Sequence, residues 1–130
     1  MKTALITGGS GHVGANLVRE LTKQDFKVRC IDFDGDHRAF EGHAVELIRG
    51  NITDIESVDV AFKDVDVVFH TAALISLVRK DRDIIRSVNV LGTKNVCELS
   101  LRHGVKKLIH FSSVDAFISC LLYTSPSPRD

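Results

Sequence analysis

Before residue 120 the chain contains neither proline nor tyrosine; Pro126, Pro128 and Tyr123, the only examples, fall in the last eight residues. Charge of a single sign is also missing, because Lys+Arg and Asp+Glu both number 17. That balance removes the electrostatic case for a nucleic-acid or anionic-membrane partner. No apolar run approaches the roughly 20 residues of a membrane span. The run at 3–6 is too short for the core of a signal peptide. Three cysteines, at 30, 97 and 120, have neither metal-ligand nor disulfide-framework spacing, and the six histidines are scattered, so no metal is expected. Cys30 and Cys97 lie on apolar segments and are expected to be buried, reduced thiols. These absences point to a cytoplasmic protein. With 130 residues, 44% of them hydrophobic, the chain makes one globular domain.

The break in composition divides a body, 1–119, from a tail, 120–130. The tail resembles the translation of a transposase-type sequencing adapter and is expected to be non-native. A genuine flexible Ser/Pro-rich terminus is the alternative. Within the body, apolar runs alternate with helical periodicity. Strands are expected over 3–7, 28–32, 45–48, 65–70 and 107–111. Val13, Leu17, Val18 and Leu21 predict a helix over 13–23. Asp54 offers an N-cap to a helix carrying Ile55, Val58 and Phe62. Ile84, Ile85, Val88, Leu91, Val96 and Leu99 lay an apolar stripe along a long helix ending near Gly104. The basic run from Arg102-His103 to Lys106-Lys107 is expected to be a solvated helix end. Asp34-Gly35-Asp36 reads as a turn. Such alternation predicts an α/β fold, a Rossmann-type doubly wound parallel sheet ordered 3-2-1-4-5. Its ligand crevice opens between strands 1 and 4.

Thr7-Gly8-Gly9-Ser10-Gly11-His12-Val13-Gly14 falls between the first strand and its helix. Gly8 permits a tight turn, Gly11 admits a pyrophosphate to the backbone at a helix N-terminus, and Gly14 lets helix and strand pack closely. Gly9, Gly11 and Gly14 also fit a GxGxxG pattern. Asp32 ends strand 2, 18 residues after Gly14, where a carboxylate accepts both hydroxyls of an adenosine ribose and repels a 2′-phosphate. NAD is therefore favoured, while Arg29 and Arg38 nearby leave NADP open.

These motifs resemble the extended short-chain dehydrogenases, the NAD-dependent epimerase/dehydratase family, over residues 2–117. The resemblance implies that Gly8, Ser10, Gly11, His12, Val13 and Gly14 hold the cofactor's diphosphate, His12 through its backbone. Gly50-Asn51-Ile52-Thr53-Asp54 is similar to the segment that holds adenine through Asn51 and Ile52, with Asn51 standing where the family has Asp. Val67-Val-Phe-His-Thr71-Ala72-Ala73 is similar to the strand whose small residues pass the nicotinamide ribose. Asn89-Val-Leu-Gly92-Thr93-Lys-Asn95 matches the helix motif in which Asn89 organises the site. Leu108-Ile-His-Phe-Ser112-Ser113 is similar to the strand end that presents the catalytic serine, here Ser113. The absence of Val-Tyr-Gly after it, with His70-Thr-Ala-Ala-Leu-Ile-Ser76, is more like the 3β-hydroxysteroid dehydrogenase and dihydroflavonol-reductase branch.

The resemblance implies hydride transfer between a small-molecule alcohol or ketone and the nicotinamide, in a parent enzyme expected to be a homodimer. It also implies a tyrosine acid/base with a lysine four residues later, beside the serine. The body has no such pair, and Ser127, not lysine, stands four residues after Tyr123. The fragment is expected to be inactive and its fifth strand to be an aggregation-prone edge. A sugar-nucleotide epimerase or dehydratase and a non-catalytic dinucleotide sensor are the competing readings; Ser113 argues against the sensor. His70 and His110 are expected to be satisfied structural histidines.

Overall fold

A computed structural model describes residues 1–33, 37–74 and 79–112 of the chain. The expected turn at 34–36, the catalytic candidate Ser113 and the tail at 120–130 lie outside the described residues.

Five parallel strands form one sheet: β1 (Lys2–Thr7), β2 (Phe26–Asp32), β3 (Val45–Arg49), β4 (Val67–His70) and β5 (Lys107–His110), in the order β3-β2-β1-β4-β5. The predicted order is the observed one, with β3 and β5 outermost. β1 shows why its sequence is a continuous apolar run. Alternate residues point to opposite faces, and both faces are covered. Ala4 and Ile6 pack with Val18 and Leu21 of α1 (His12–Lys23), whereas Leu5 packs with Val58, Phe62, Val96 and Leu99 on the other side.

β4 begins two residues later than the apolar run suggests. Asp66 accounts for the difference: its carboxylate accepts the Thr3 N–H at 2.8 Å, and its own N–H reaches the Thr3 carbonyl at 2.9 Å. A side chain therefore replaces one rung of the strand ladder. Val65 still joins the core, at 5% exposure.

The helix predicted after Asp54 is one turn, α2 (Ile55–Val58), continued by a 3₁₀ turn at Asp59–Phe62. Asp54 holds the cap position but its side chain makes no cap hydrogen bond.

The long helix is also interrupted. α3 (Arg82–Arg86) runs into a π-helical segment, Ser87–Gly92, and then α4 (Thr93–Arg102). Gly104, at φ 65°, ends it in the left-handed conformation. The wider π turn rotates upstream positions off the core face. Val96 and Leu99 are fully buried, but Ile84 and Leu91 are 58% and 41% exposed, against the expected unbroken stripe.

Cys30 is buried as expected and its thiol is pushed up to about 12, first by desolvation and then by the Asp32 charge. Cys97 is exposed, contrary to expectation. It follows Val96 by one residue, about 100° around the helix from the buried face. The basic helix end is not simply solvated either. Asp59 Oδ1 lies 2.7 Å from His103 Nε2 and 3.5 Å from Arg102 Nη1, tying the end of α4 to the 3₁₀ turn.

Candidate functional site

The register aligns the carboxyl ends of the strands. Thr7 stands opposite both Ile31 and His70, and His70 opposite His110. Beyond that level the connections diverge around a crevice of about 250 Å³ at the switch point between β1 and β4. Gly8, Ser10 and Gly11 line it after β1, and Ile31, Asp32 and Phe33 at the end of β2. Gly50 and Ile52 follow β3, Thr71 to Leu74 follow β4, and Val88 comes from the π segment.

The glycine turn is shaped on both sides. A Cβ on Gly14 would stand 2.2 Å from the Gly8 carbonyl oxygen and 2.8 Å from Gly9 Cα, so that position belongs to helix–turn packing. A Cβ on Gly11 would meet only the Gly8 oxygen, at 3.3 Å, which leaves space above the backbone. α1 starts at His12 directly after these residues, and no side chain caps its first turn. Its N–H groups and dipole are thus available to an anion. His12 and Val13 are exposed; Val13 contributes to this turn and not to the core stripe.

At the other end of the crevice, Asp32 Oδ1 accepts the Phe33 N–H at 3.1 Å, which fixes the carboxylate at the end of β2. Arg29 is spent elsewhere. Its Nε meets Glu46 Oε2 at 3.0 Å, and its Nη1 donates to the carbonyls of Ala61 and Lys63 at 2.7 and 2.8 Å. It does not stand by as a phosphate partner. Asn51 turns its amide oxygen onto Thr53, accepting from N at 3.0 Å and from Oγ1 at 2.8 Å. Its neighbours Gly50 and Ile52, not Asn51, line the crevice.

The wall after β4 is held by Thr71, whose hydroxyl donates to the Thr7 carbonyl, and by Asn89, which bonds both backbone groups of Leu74. Phe111 N–H reaches the His70 carbonyl at 3.2 Å, extending the β4–β5 pairing one residue past His110, and the next residue, Ser112, is exposed.

The profile of the 3-beta hydroxysteroid dehydrogenase/isomerase family matches residues 5–121. The chain belongs to that family. Within the wider group, it is 41% identical over 115 residues to sterol demethylase protein B of Methylococcus capsulatus, covering 88% of this chain and 35% of that protein. It is 37% identical over 116 residues to a 3 beta-hydroxysteroid dehydrogenase/Delta 5-->4-isomerase of Mycobacterium tuberculosis, covering 84% and 31%. The crystal structure of the Bordetella bronchiseptica enzyme WbmG in complex with NAD superposes with a TM-score of 0.78 at 30% identity, covering 86% of this chain and 37% of that one. The chain spans about a third of the length of the curated relatives it matches.

In this member of the hydroxysteroid dehydrogenase family, the sequence motifs marked neither Phe33 nor Val88 as crevice residues, nor Asn95 as the brace behind Ile52. Phe33 is 65% exposed beside Asp32, and adjacency to that carboxylate was the available signal. Val88 reaches the crevice because the π segment turns it there. Asn95 is buried and its Nδ2 donates to the Ile52 carbonyl at 2.8 Å. The helix motif thus braces both walls, Leu74 through Asn89 and Ile52 through Asn95. Among the described residues, no group of three or more His, Cys, Asp or Glu could hold a metal, and no helix is long and apolar enough to cross a membrane.

Proposed function

We propose that residues 1–119 form the dinucleotide-binding domain of an NAD-dependent oxidoreductase acting on a CH–OH group of a small molecule, in the manner of the hydroxysteroid dehydrogenases. One observation carries the choice of cofactor: Asp32 shares a crevice with the glycine turn while Arg29 is committed to Glu46 and two carbonyls. A carboxylate there accepts ribose hydroxyls and repels a 2′-phosphate. The resemblance to WbmG, solved in complex with NAD, supports the same reading.

The residues divide the work by position. The amides at the start of α1 and the turn from Gly8 to Gly14 take the diphosphate. Asp32 takes the adenosine ribose. Ile52, with Asn51 behind it, borders the adenine, and Thr71, Ala72 and Ala73 border the nicotinamide ribose, braced by Asn89. Ser113 is the hydroxyl that orients the substrate oxygen. Bound NAD supplies hydride acceptance. The 130 residues contain no Tyr-x-x-x-Lys, so this chain alone binds without turnover.

Fluorescence titration of the chain with NADH and NADPH tests the reading. NADH is expected to bind more tightly. Asp32→Asn is expected to weaken NADH on the order of tenfold, since a hydrogen bond to a charged acceptor is lost. Equal affinity for both cofactors in the unaltered chain, or no affinity for either, would refute it.

A further inference from the structure

One buried polar cluster beside the crevice has no part in that division of work. His70, at the end of β4, is 2% exposed and stands between two hydroxyls. Its Nδ1 is 2.7 Å from Thr7 Oγ1 on β1, and its Nε2 is 2.8 Å from Thr93 Oγ1 at the start of α4. The ring stacks on His110 of β5, with centroids 5.4 Å apart. Thr7, itself fully buried, also accepts the N–H of Ala72 on Oγ1, at 3.1 Å.

A neutral imidazole carries one N–H and one bare nitrogen. With the proton on Nδ1, Thr7 Oγ1 would accept twice. Its own hydroxyl proton, sealed from water, would then have no acceptor among the described residues, a state buried hydroxyls avoid. With the proton on Nε2, both ring nitrogens and the sealed Thr7 hydroxyl are satisfied, and the hydroxyl proton left over is that of Thr93, which is only half-buried and open to water. The Thr7 hydroxyl donates to Nδ1, Nε2–H donates to Thr93 Oγ1, and the Thr7 oxygen keeps a lone pair for Ala72. The backbone so held is the crevice wall. A Cβ on Gly8 would lie 2.7 Å from Ala72 Cα and 2.9 Å from its nitrogen, so Ala72 rests directly on the glycine turn.

We propose that His70 is a positioning residue of the crevice: as the Nε2–H tautomer it turns the Thr7 hydroxyl so that its oxygen holds the Ala72 N–H and seats the backbone after β4 against Gly8. What the crevice binds rests on the dinucleotide reading; the seating is a property of the bare chain. His70 touches no reacting atom and acts through Thr7 and Ala72.

Long-range ¹H–¹⁵N spectra of the 130-residue chain at neutral pH report the ring tautomer, and amide exchange reports the hold on Ala72. The expected tautomer is Nε2–H. Normalised to the Leu5 amide in the middle of β1, Ala72 protection is expected to fall about tenfold in Thr7→Val and in His70→Phe, as for one lost hydrogen bond. His70→Asn puts an amide oxygen in place of Nδ1 and is expected to keep protection within about threefold of the parent. An Nδ1–H ring, or Ala72 protection that tracks Leu5 equally in all three variants, would overturn the positioning role. If a variant fails to fold, the ring spectrum of the unaltered chain still decides. NADH affinity is a separate reading. A chain with the Nε2–H ring and the expected Ala72 pattern but no NADH affinity supports the positioning role and refutes the dinucleotide assignment.

Discussion

Asn89 and Leu74 exchange two hydrogen bonds of 2.9 Å each, Leu74 N–H to Oδ1 and Nδ2 to the Leu74 carbonyl. A side chain on the π segment thereby imitates a strand partner for the chain leaving β4. Both bonds are solvent-accessible, so each contributes about 1 kcal/mol. Asn89→Asp keeps the acceptor and removes the donor. It is expected to lower the thermal midpoint by about 3 °C, in line with that energy for a domain of this size. NADH affinity is expected to fall severalfold as the wall loosens. An unchanged NADH titration would detach this pair from the site.

Two glycines in one turn should fail in different ways. Gly14→Ala drives a methyl into the Gly8 carbonyl at 2.2 Å and is expected to cost about 1–3 kcal/mol of stability through overpacking. Gly11 has an ordinary φ of -72° and a nearly open Cβ direction. Gly11→Ala is therefore expected to melt close to the parent temperature while losing about tenfold or more in NADH affinity, because the methyl fills the phosphate's approach. Thermal melts paired with NADH titrations separate the two. A Gly11→Ala chain that binds NADH normally would remove the diphosphate from this turn.

Stability should also carry the signature of His70. Burial, and secondarily the His110 charge, push its imidazole from 6.5 down to about 4. The other two groups against the ring, Thr7 of β1 and Thr93 of α4, do not titrate in this range. Between those pH values the unfolded chain binds a proton that the folded chain does not. Unfolding free energy therefore rises with pH across the window, and the contribution is complete above it. Asp59 acts in a lower window. The hydrogen bond from His103 is the largest influence holding its carboxyl below 3.8, so its contribution is present above that value and lost as the pH falls. Urea midpoints at constant ionic strength should climb between about pH 4 and about pH 6.5, and His70→Asn should flatten that climb. A flat profile in the unaltered chain would contradict the buried neutral ring.

Much of this architecture is legible in the sequence because its signals are local and physical. The run from Ala4 to Ile6 is apolar and buried at every position, as a strand covered on both faces requires. The glycine turn sits where a strand must bend into a helix. Other features depend on contacts that spacing does not encode. Asp66 shortens β4 by using its side chain on Thr3, a partner 63 positions away in sequence. The π segment did leave a trace, the five-residue step from Leu91 to Val96 among steps of three, but an α-helical reading absorbs one irregular step. Asn51 follows β3 by two residues, and its oxygen closes a local turn on Thr53, a choice set by two residues of backbone geometry. Cys97 looked buried because Val96 and Leu99 of the apolar stripe stand on either side of it; a single helical position moves it to the surface.

The most direct test of a dinucleotide seated between the glycine turn and Asp32 is an amide chemical-shift titration of the ¹⁵N-labelled chain with NAD. The account predicts that the largest shifts fall together on Gly8 to Gly14, on Asp32 and Phe33, on Ile52, and on Ala72 and Ala73, and that they vanish in Gly11→Ala. Shifts confined to other faces of the sheet, or a spectrum that NAD leaves unchanged while the chain is folded, would contradict it.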